Sequence, residues 1–280
     1  MQQETSTRVW VVPVGNPTSA LQITKGRVDG RNGLAWTTDG KIIFDAPDSG
    51  QNVQLWITAT DGSSPRQLTA EGWLNATPAV CGDGQHLVYI SYRAGTPHIW
   101  QSNLDGSDAK QLTNGEGEFM PSCSADGAWL TYGTSDPHDE GVWRMPIEGD
   151  KPVQIWEQYG TSSISPDGKQ VLIQRRSNLE LCHIIPAGGG MPVKKITRDP
   201  ELGLPERWTA DGRALLYLKT KHGVTNVWEK PLDLGEGRQL TKFESDQIGH
   251  VAMSRDGKQL AVARGSTTHD VILIKDLNIR

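Results

Sequence analysis

A short turn ending in Asp-Gly recurs six times along the chain at nearly constant spacing. It reads Trp36-Thr37-Thr38-Asp39-Gly40, Val80-Cys81-Gly82-Asp83-Gly84 and Cys123-Ser124-Ala125-Asp126-Gly127 in the first half. It continues as Ile164-Ser165-Pro166-Asp167-Gly168, Trp208-Thr209-Ala210-Asp211-Gly212 and Met253-Ser254-Arg255-Asp256-Gly257. Successive turn aspartates lie 44, 43, 41, 44 and 45 residues apart. A period of this size means that each repeat is one supersecondary unit that packs on its neighbours. Two further marks keep the same phase. Trp56, Trp100, Trp143 and Trp228 each follow their turn Asp by 17 residues, and Cys182 and Leu273 are assigned that place in the other two repeats. Gln67-Leu68-Thr69, Gln111-Leu112-Thr113 and Gln239-Leu240-Thr241 end their repeats, with Lys195-Ile196-Thr197 and Gln154-Ile155-Trp156 as variants.

Each repeat reads as four short strands, A to D. In the second, A runs from about Thr77 to Cys81, B from His86 to Ser91, C from His98 to Leu104 and D from Lys110 to Thr113. Asp105-Gly106-Ser107 is the C–D hairpin turn, where Gly supplies positive φ at low cost. Runs this short, bounded by Gly, Asp and Pro, are strands rather than helices. Such a four-stranded unit cannot bury both faces alone, and radial stacking buries them. The expected fold is an all-β propeller occupying residues 1–280 as one domain, with repeats at about 31–69, 75–113, 119–156, 161–197, 205–241 and 249–277.

The ends pose a closure problem. Arg8 to Pro13 resembles strand C and Leu21 to Thr24 strand D, so residues 7–24 form half a repeat. The last repeat supplies A and B, then Val271 to Leu277 as its own strand C. Either the N-terminal strand D completes a six-bladed ring with one strand spare, or the N-terminal pair is the remnant of an incomplete seventh blade. The second reading is preferred, because it leaves no strand unexplained.

Composition narrows the function classes. The net charge is −5 with acids and bases mixed along the chain, so no basic stripe invites nucleic acid. The first eight residues are polar, without a signal-peptide core, and no stretch approaches the ~18 apolar residues of a membrane helix. Three cysteines, Cys81, Cys123 and Cys182, are expected to fill the core as small apolar residues rather than to form a disulfide or bind metal.

The Trp-Thr-x-Asp-Gly turn, the strand C tryptophan and the Gln-Leu-Thr ending resemble the WD40-like (PD40) repeats of TolB-type propellers, over nearly the whole chain. A narrower likeness lies in Phe243-Glu244-Ser245-Asp246-Gln247-Ile248, Ser254 to Ala261 and Val271 to Ile274. These resemble the ending of propellers fused to bacterial receptor-type serine/threonine kinases or winged-helix regulators. That resemblance implies a periplasmic or extracytoplasmic sensor module of a larger protein. Any kinase activity would then belong to an upstream domain.

No Walker loop, HExxH or Gly-x-Ser-x-Gly nucleophile motif occurs, and Ala187-Gly188-Gly189-Gly190 falls in a C–D hairpin. The expectation is therefore a binding protein without cofactor, not an enzyme. Residues placed at the mouth of the central channel are Arg31, Asn32, Asn75, Glu118, Glu206, Arg207 and His250, whose mixed charges suit a peptide end or a small polar ligand. Trp73, Phe119 and Tyr159 are candidate interface anchors for a protein partner. The competing reading is a propeller lyase or hydrolase with a His/carboxylate metal site, built from His98, His138, His222 and His269 in or beside the B–C connections.

Overall fold

A computed structural model describes residues 2–175, 181–202, 205–233 and 235–270. They form six antiparallel four-stranded sheets arranged as the blades of one propeller, and no helix occurs among the described residues. Blades 1 to 5 each use four consecutive strands, as in Asn75–Val80, His86–Ser91, His98–Asn103 and Lys110–Gln111 of blade 2.

Blade 6 is assembled from both ends of the chain. Its strands A and B are Gln247–Met253 and Gln259–Asp270, and its strands C and D are the N-terminal Gln2–Pro13 and Leu21–Gln22. Strands B and C pair without interruption from Gln2↔Asp270 to Pro13↔Gln259. This overturns the preference for an incomplete seventh blade. The place expected for Val271 to Leu277 is taken by the N-terminal strand, and those residues lie outside the described ones. The physical reason is edge elimination, since pairing the two ends closes the ring and leaves no half-blade exposed.

The repeat marks have physical explanations. In five blades the turn hydroxyl donates to the turn carboxylate: Thr37 to Asp39, Ser124 to Asp126, Ser165 to Asp167, Thr209 to Asp211 and Ser254 to Asp256, at 2.5–2.7 Å. That bond is the main reason the Asp126, Asp167, Asp211 and Asp256 carboxyls lie below the ordinary aspartate range. The turn glycines adopt φ of 68–81°, which favours Gly. In the Gln-x-Thr endings, the threonine hydroxyl accepts a strand C amide: Thr69 from Leu55, Thr113 from Ile99, Thr241 from Val227 and Thr24 from Val9. The glutamine folds forward onto the threonine carbonyl in all four blades. The motif is thus a strand-ending device and not a binding signature.

Register corrects the tryptophan assignments. Trp100, Trp143 and Trp228 face Tyr89, Tyr132 and Tyr217, each six residues after its turn Asp. By the same count the strand C residue of blade 4 is His183, opposite Ile173, rather than Cys182. In blade 6 it is Trp10, opposite Val262, rather than Leu273.

The core lies between blades. Ile43, Leu55, Ile57 and Leu68 of blade 1 pack on Leu87 and Tyr89 of blade 2, all buried. Cys81 and Cys123 depart from expectation. They form a disulfide between blades 2 and 3 with a Cα–Cα distance of 4.9 Å, while Cys182 is free and buried. Cys81 stands where the other blades carry the turn hydroxyl. The adjacent turns approach so closely that a Cβ on Gly82 would overlap the Ala125 carbonyl. The sequence count hid this pairing, because the two cysteines are 42 residues apart but in neighbouring repeats.

Candidate functional site

Strand A of every blade borders the central channel. In blades 2, 3, 5 and 6 that strand carries an irregular register, between Ala76 and Ala79, Phe119 and Ser122, Pro205 and Arg207, and Ile248 and His250. Bulges of this kind re-aim side chains and favour functional rims. Two of them hold non-glycine residues in left-handed backbone, Thr77 at φ 51° and Met120 at φ 47°. For a β-branched threonine this is strained, and its buried hydroxyl has no hydrogen-bond partner. Both residues line the mouth of the channel on the face where the D–A loops gather, together with Asn32, Ser162, Glu206 and His250. This upper cavity encloses about 220 Å³. A second cavity of about 440 Å³ opens toward the Asp-Gly turns and is lined largely by small residues such as Ala35, Ala79 and Ser163.

Arg207 borders both cavities and so stands partway down the channel. Its side chain is reached by water yet ringed by protein. That crowding lowers the guanidinium pKa, and the neighbouring Glu206 carboxylate opposes the shift. Asn32 is partly committed elsewhere, since its backbone and side-chain N–H groups donate to the Asp45 carboxylate at 2.9 and 2.8 Å. Arg31 is exposed, and its carbonyl lies 3.1 Å from His250 Nε2. Of the seven residues expected at the mouth, the channel cavities bring together Asn32, Glu206, Arg207 and His250, with Arg31 beside them.

Asn75 and Glu118 do not belong to that group. Asn75 is fully buried and donates to Gln54 Oε1 and the Glu71 carbonyl, at 2.8 Å each. Glu118 is 3% exposed, sits 3.0 Å from His98 Nδ1 and accepts the Gly115 amide at 2.7 Å. Both begin strand A, but their side chains turn back between blades instead of inward. Strand alternation decides this, because residues one apart point to opposite faces.

The aromatic anchors fall into two pairs on the loop face. Trp73 is 56% exposed and stacks on Tyr92 with centroids 4.5 Å apart. Phe119 meets Tyr159 at 5.2 Å. The histidines of the competing metal reading are scattered. His98 is buried against Glu118, while His138 and His222 occupy exposed turns. The side chain of His269 lies outside the described residues. Among the described residues, no group of three or more His, Cys, Asp or Glu is placed to hold a metal ion.

One feature was not legible in the motifs. Next to the blade 2–3 seam a cavity of about 470 Å³ is lined by Glu116, Tyr132, Thr134, Asp136, Asp139 and Trp143, among others. The strand C tryptophan alone reads as core packing, and only the register places carboxylates around it.

The TolB beta propeller domain (PD40) family profile matches residues 1–164. A TolB homolog from Chlamydia caviae is 34% identical over 112 residues, which is 35% of this chain and 26% of that protein. The Tol-Pal system protein TolB of Bordetella pertussis is 28% identical over 155 residues, 54% of this chain and 35% of that protein. The chain thus spans about a quarter to a third of these relatives. TolB from Acinetobacter baumannii superposes with a TM-score of 0.60 at 14% identity, over 94% of this chain and 65% of that one. An oligogalacturonate lyase in complex with manganese does so with 0.58 at 16% identity, over 91% and 77%. Likeness at such identity establishes the fold alone. The family profile covers more than half of the residues, and the chain belongs to the TolB-type β-propeller family.

Proposed function

We propose that this propeller is a non-catalytic binding module that recognises a protein or peptide through its D–A loop face and channel mouth. The observation that carries the reading is the arrangement of that face. Exposed Trp73 on Tyr92 and the Phe119–Tyr159 pair flank a mouth lined by Asn32, Glu206 and His250. Aromatic anchors around a polar centre are the pattern of protein interfaces. Relatives named for the Tol-Pal system support an envelope setting. The Cys81–Cys123 disulfide supports an oxidising compartment outside the cytoplasm. The resemblance of the 243–248 segment to the ending of sensor propellers extends the reading to a module of a larger signalling or envelope protein.

The test is site-specific photocrosslinking from position 73, with position 258 on the opposite turn face as control. Partners captured only from position 73 are then purified and titrated. Trp73→Ala is expected to weaken binding of such a partner about tenfold or more, as loss of an interface anchor does. A purified partner bound equally by wild type, Trp73→Ala and Phe119→Ala removes the loop-face reading.

A further inference from the structure

The cavity beside blade 3 has a filled counterpart in blade 2. There Arg93 stacks on the strand C tryptophan, with Cζ 4.3 Å from the Trp100 ring centroid. Its guanidinium donates to Tyr89 Oη at 3.2 Å and to Ser91 Oγ at 3.2 Å, and lies 3.4 Å from Glu71 Oε2. Blades 5 and 6 repeat the theme with their own cations. Lys219 lies over Trp228 and pairs with Glu201, and Arg264 lies over Trp10 and pairs with Asp246.

Blade 3 has the same socket without the cation. Tyr132 faces Trp143 as Tyr89 faces Trp100. Thr134 takes the place of Ser91, two residues after the tyrosine, and Glu116-Gly117 stands in the D–A loop as Glu71-Gly72 does in the preceding repeat. Four residues after the tyrosine, where blade 2 has Arg93, blade 3 has Asp136. Tyr132, Trp143, Thr134, Glu116 and Asp136 all line the 470 Å³ cavity, joined by Asp139. Tyr132 is only 5% exposed. Burial, and then the carboxylates of Glu118 and Asp139, push its phenol pKa up. The one basic side chain in the lining is Lys151, which is exposed in the C–D turn, at the other end of strand C from Asp136.

We propose that this socket receives an arginine side chain from a partner protein. Its guanidinium stacks on Trp143, donates to Tyr132 Oη and is neutralised by Glu116 and Asp136. Arginine fits better than lysine, because the planar fork stacks on an indole while donating to several acceptors at once. Blade 1 also lacks a cation, but there Phe44 faces Trp56 in place of a tyrosine and Ala46 stands in place of Ser91, so the hydroxyl acceptors are missing.

The proposal rests on the protein-binding reading, and its test separates the two. Purified protein is titrated with N-acetyl-arginine amide, and with N-acetyl-citrulline amide as the neutral isostere, while the Trp143 indole N–H resonance is followed. The expected result is saturable millimolar binding of the arginine probe, with citrulline at least about tenfold weaker, the loss expected when one charge-assisted hydrogen bond is removed. Glu116→Gln is expected to weaken the probe about tenfold for the same reason. Asp136→Arg fills the socket from within, as Arg93 does in blade 2, and abolishes probe binding. Absence of saturable arginine binding, or full binding by a folded Asp136→Arg protein, overturns the socket. Equal binding of arginine and citrulline overturns it too. Probe binding without any protein partner keeps the socket and removes the protein-binding reading. A partner bound undiminished by both variants removes the socket alone.

Discussion

Two seams of the ring are held in different ways. Where blade 6 meets blade 1, the contacts are noncovalent. Trp36 Nε1 donates to the Ala252 carbonyl at 3.0 Å, and the amides of Thr7 and Asp29 donate to the carbonyls of Arg27 and Thr7 at 2.7 and 2.9 Å. Val9, Ala252 and Ala263 pack on Leu34, Trp36 and Phe44 beneath them. Where blade 2 meets blade 3, the Cys81–Cys123 bridge and the buried His98–Glu118 pair supplement the packing. The first seam closes the ring, and strand pairing through blade 6 reinforces it. The second adjoins the arginine socket, whose open volume forgoes contacts that a filled interior would make.

The comparison breaks most visibly by removing residues 1–24. Blade 6 then keeps only strands A and B, and the ring opens with an exposed edge. The expected outcome is loss of the cooperative thermal transition by calorimetry and circular dichroism. A truncated chain that still melts cooperatively near the wild-type temperature would show that the N-terminal pair is dispensable. A smaller effect is expected at the other seam. Cys81→Ser with Cys123→Ser, or reduction, is expected to cost about 4 kcal/mol for a loop of this length, roughly 8 °C in Tm for a chain this size. Hydrogen exchange is expected to rise first in the Ser124–Gly127 turn. Equal melting of oxidised and reduced protein would remove the staple from the account.

The smallest effect concerns pH and a buried carboxyl on the face of blade 1 turned away from the first seam. Asp45 is buried in blade 1, and burial pushes its carboxyl up to about 6 against the amides of Asn32 and Gly33 that favour the anion. The folded state therefore holds this proton more tightly than the unfolded chain, whose value is near 3.8. Stability from this group is fully present below the unfolded value and falls as pH rises through the folded one. Denaturant titrations from pH 4 to 7 are expected to show that decline, and ¹³C-carboxyl NMR a midpoint near the raised value. A midpoint at the ordinary aspartate position would leave this carboxyl without a part in the pH dependence.

Much of the fold is legible without coordinates. The Asp-Gly turns, the Gln-x-Thr endings and the 17-residue step to the tryptophan are local devices, each completed within a few residues or one hairpin. They mark strand order and the number of repeats directly, while the blade number is decided by how the two chain ends pair. The site is less legible. Glu206, Arg207 and His250 line the channel mouth, as the rule that strand A faces the axis predicts, whereas bulges and alternation turn Asn75 and Glu118 between blades. The socket at Trp143 was missed because its meaning lies in what Asp136 replaces, and that requires aligning two blades in space.

What the sequence by itself determined is the repeating unit: a four-stranded blade with its turn hydroxyl, turn carboxylate and strand-ending threonine. Only the tertiary structure decided that the N-terminal strands complete the sixth blade, that Cys81 reaches Cys123, and that an open cavity lies beside Trp143. The division follows from range. Turns and hairpins are specified by contacts between near neighbours in the chain, whereas closure, cross-linking and an open socket depend on which blades come to stand side by side.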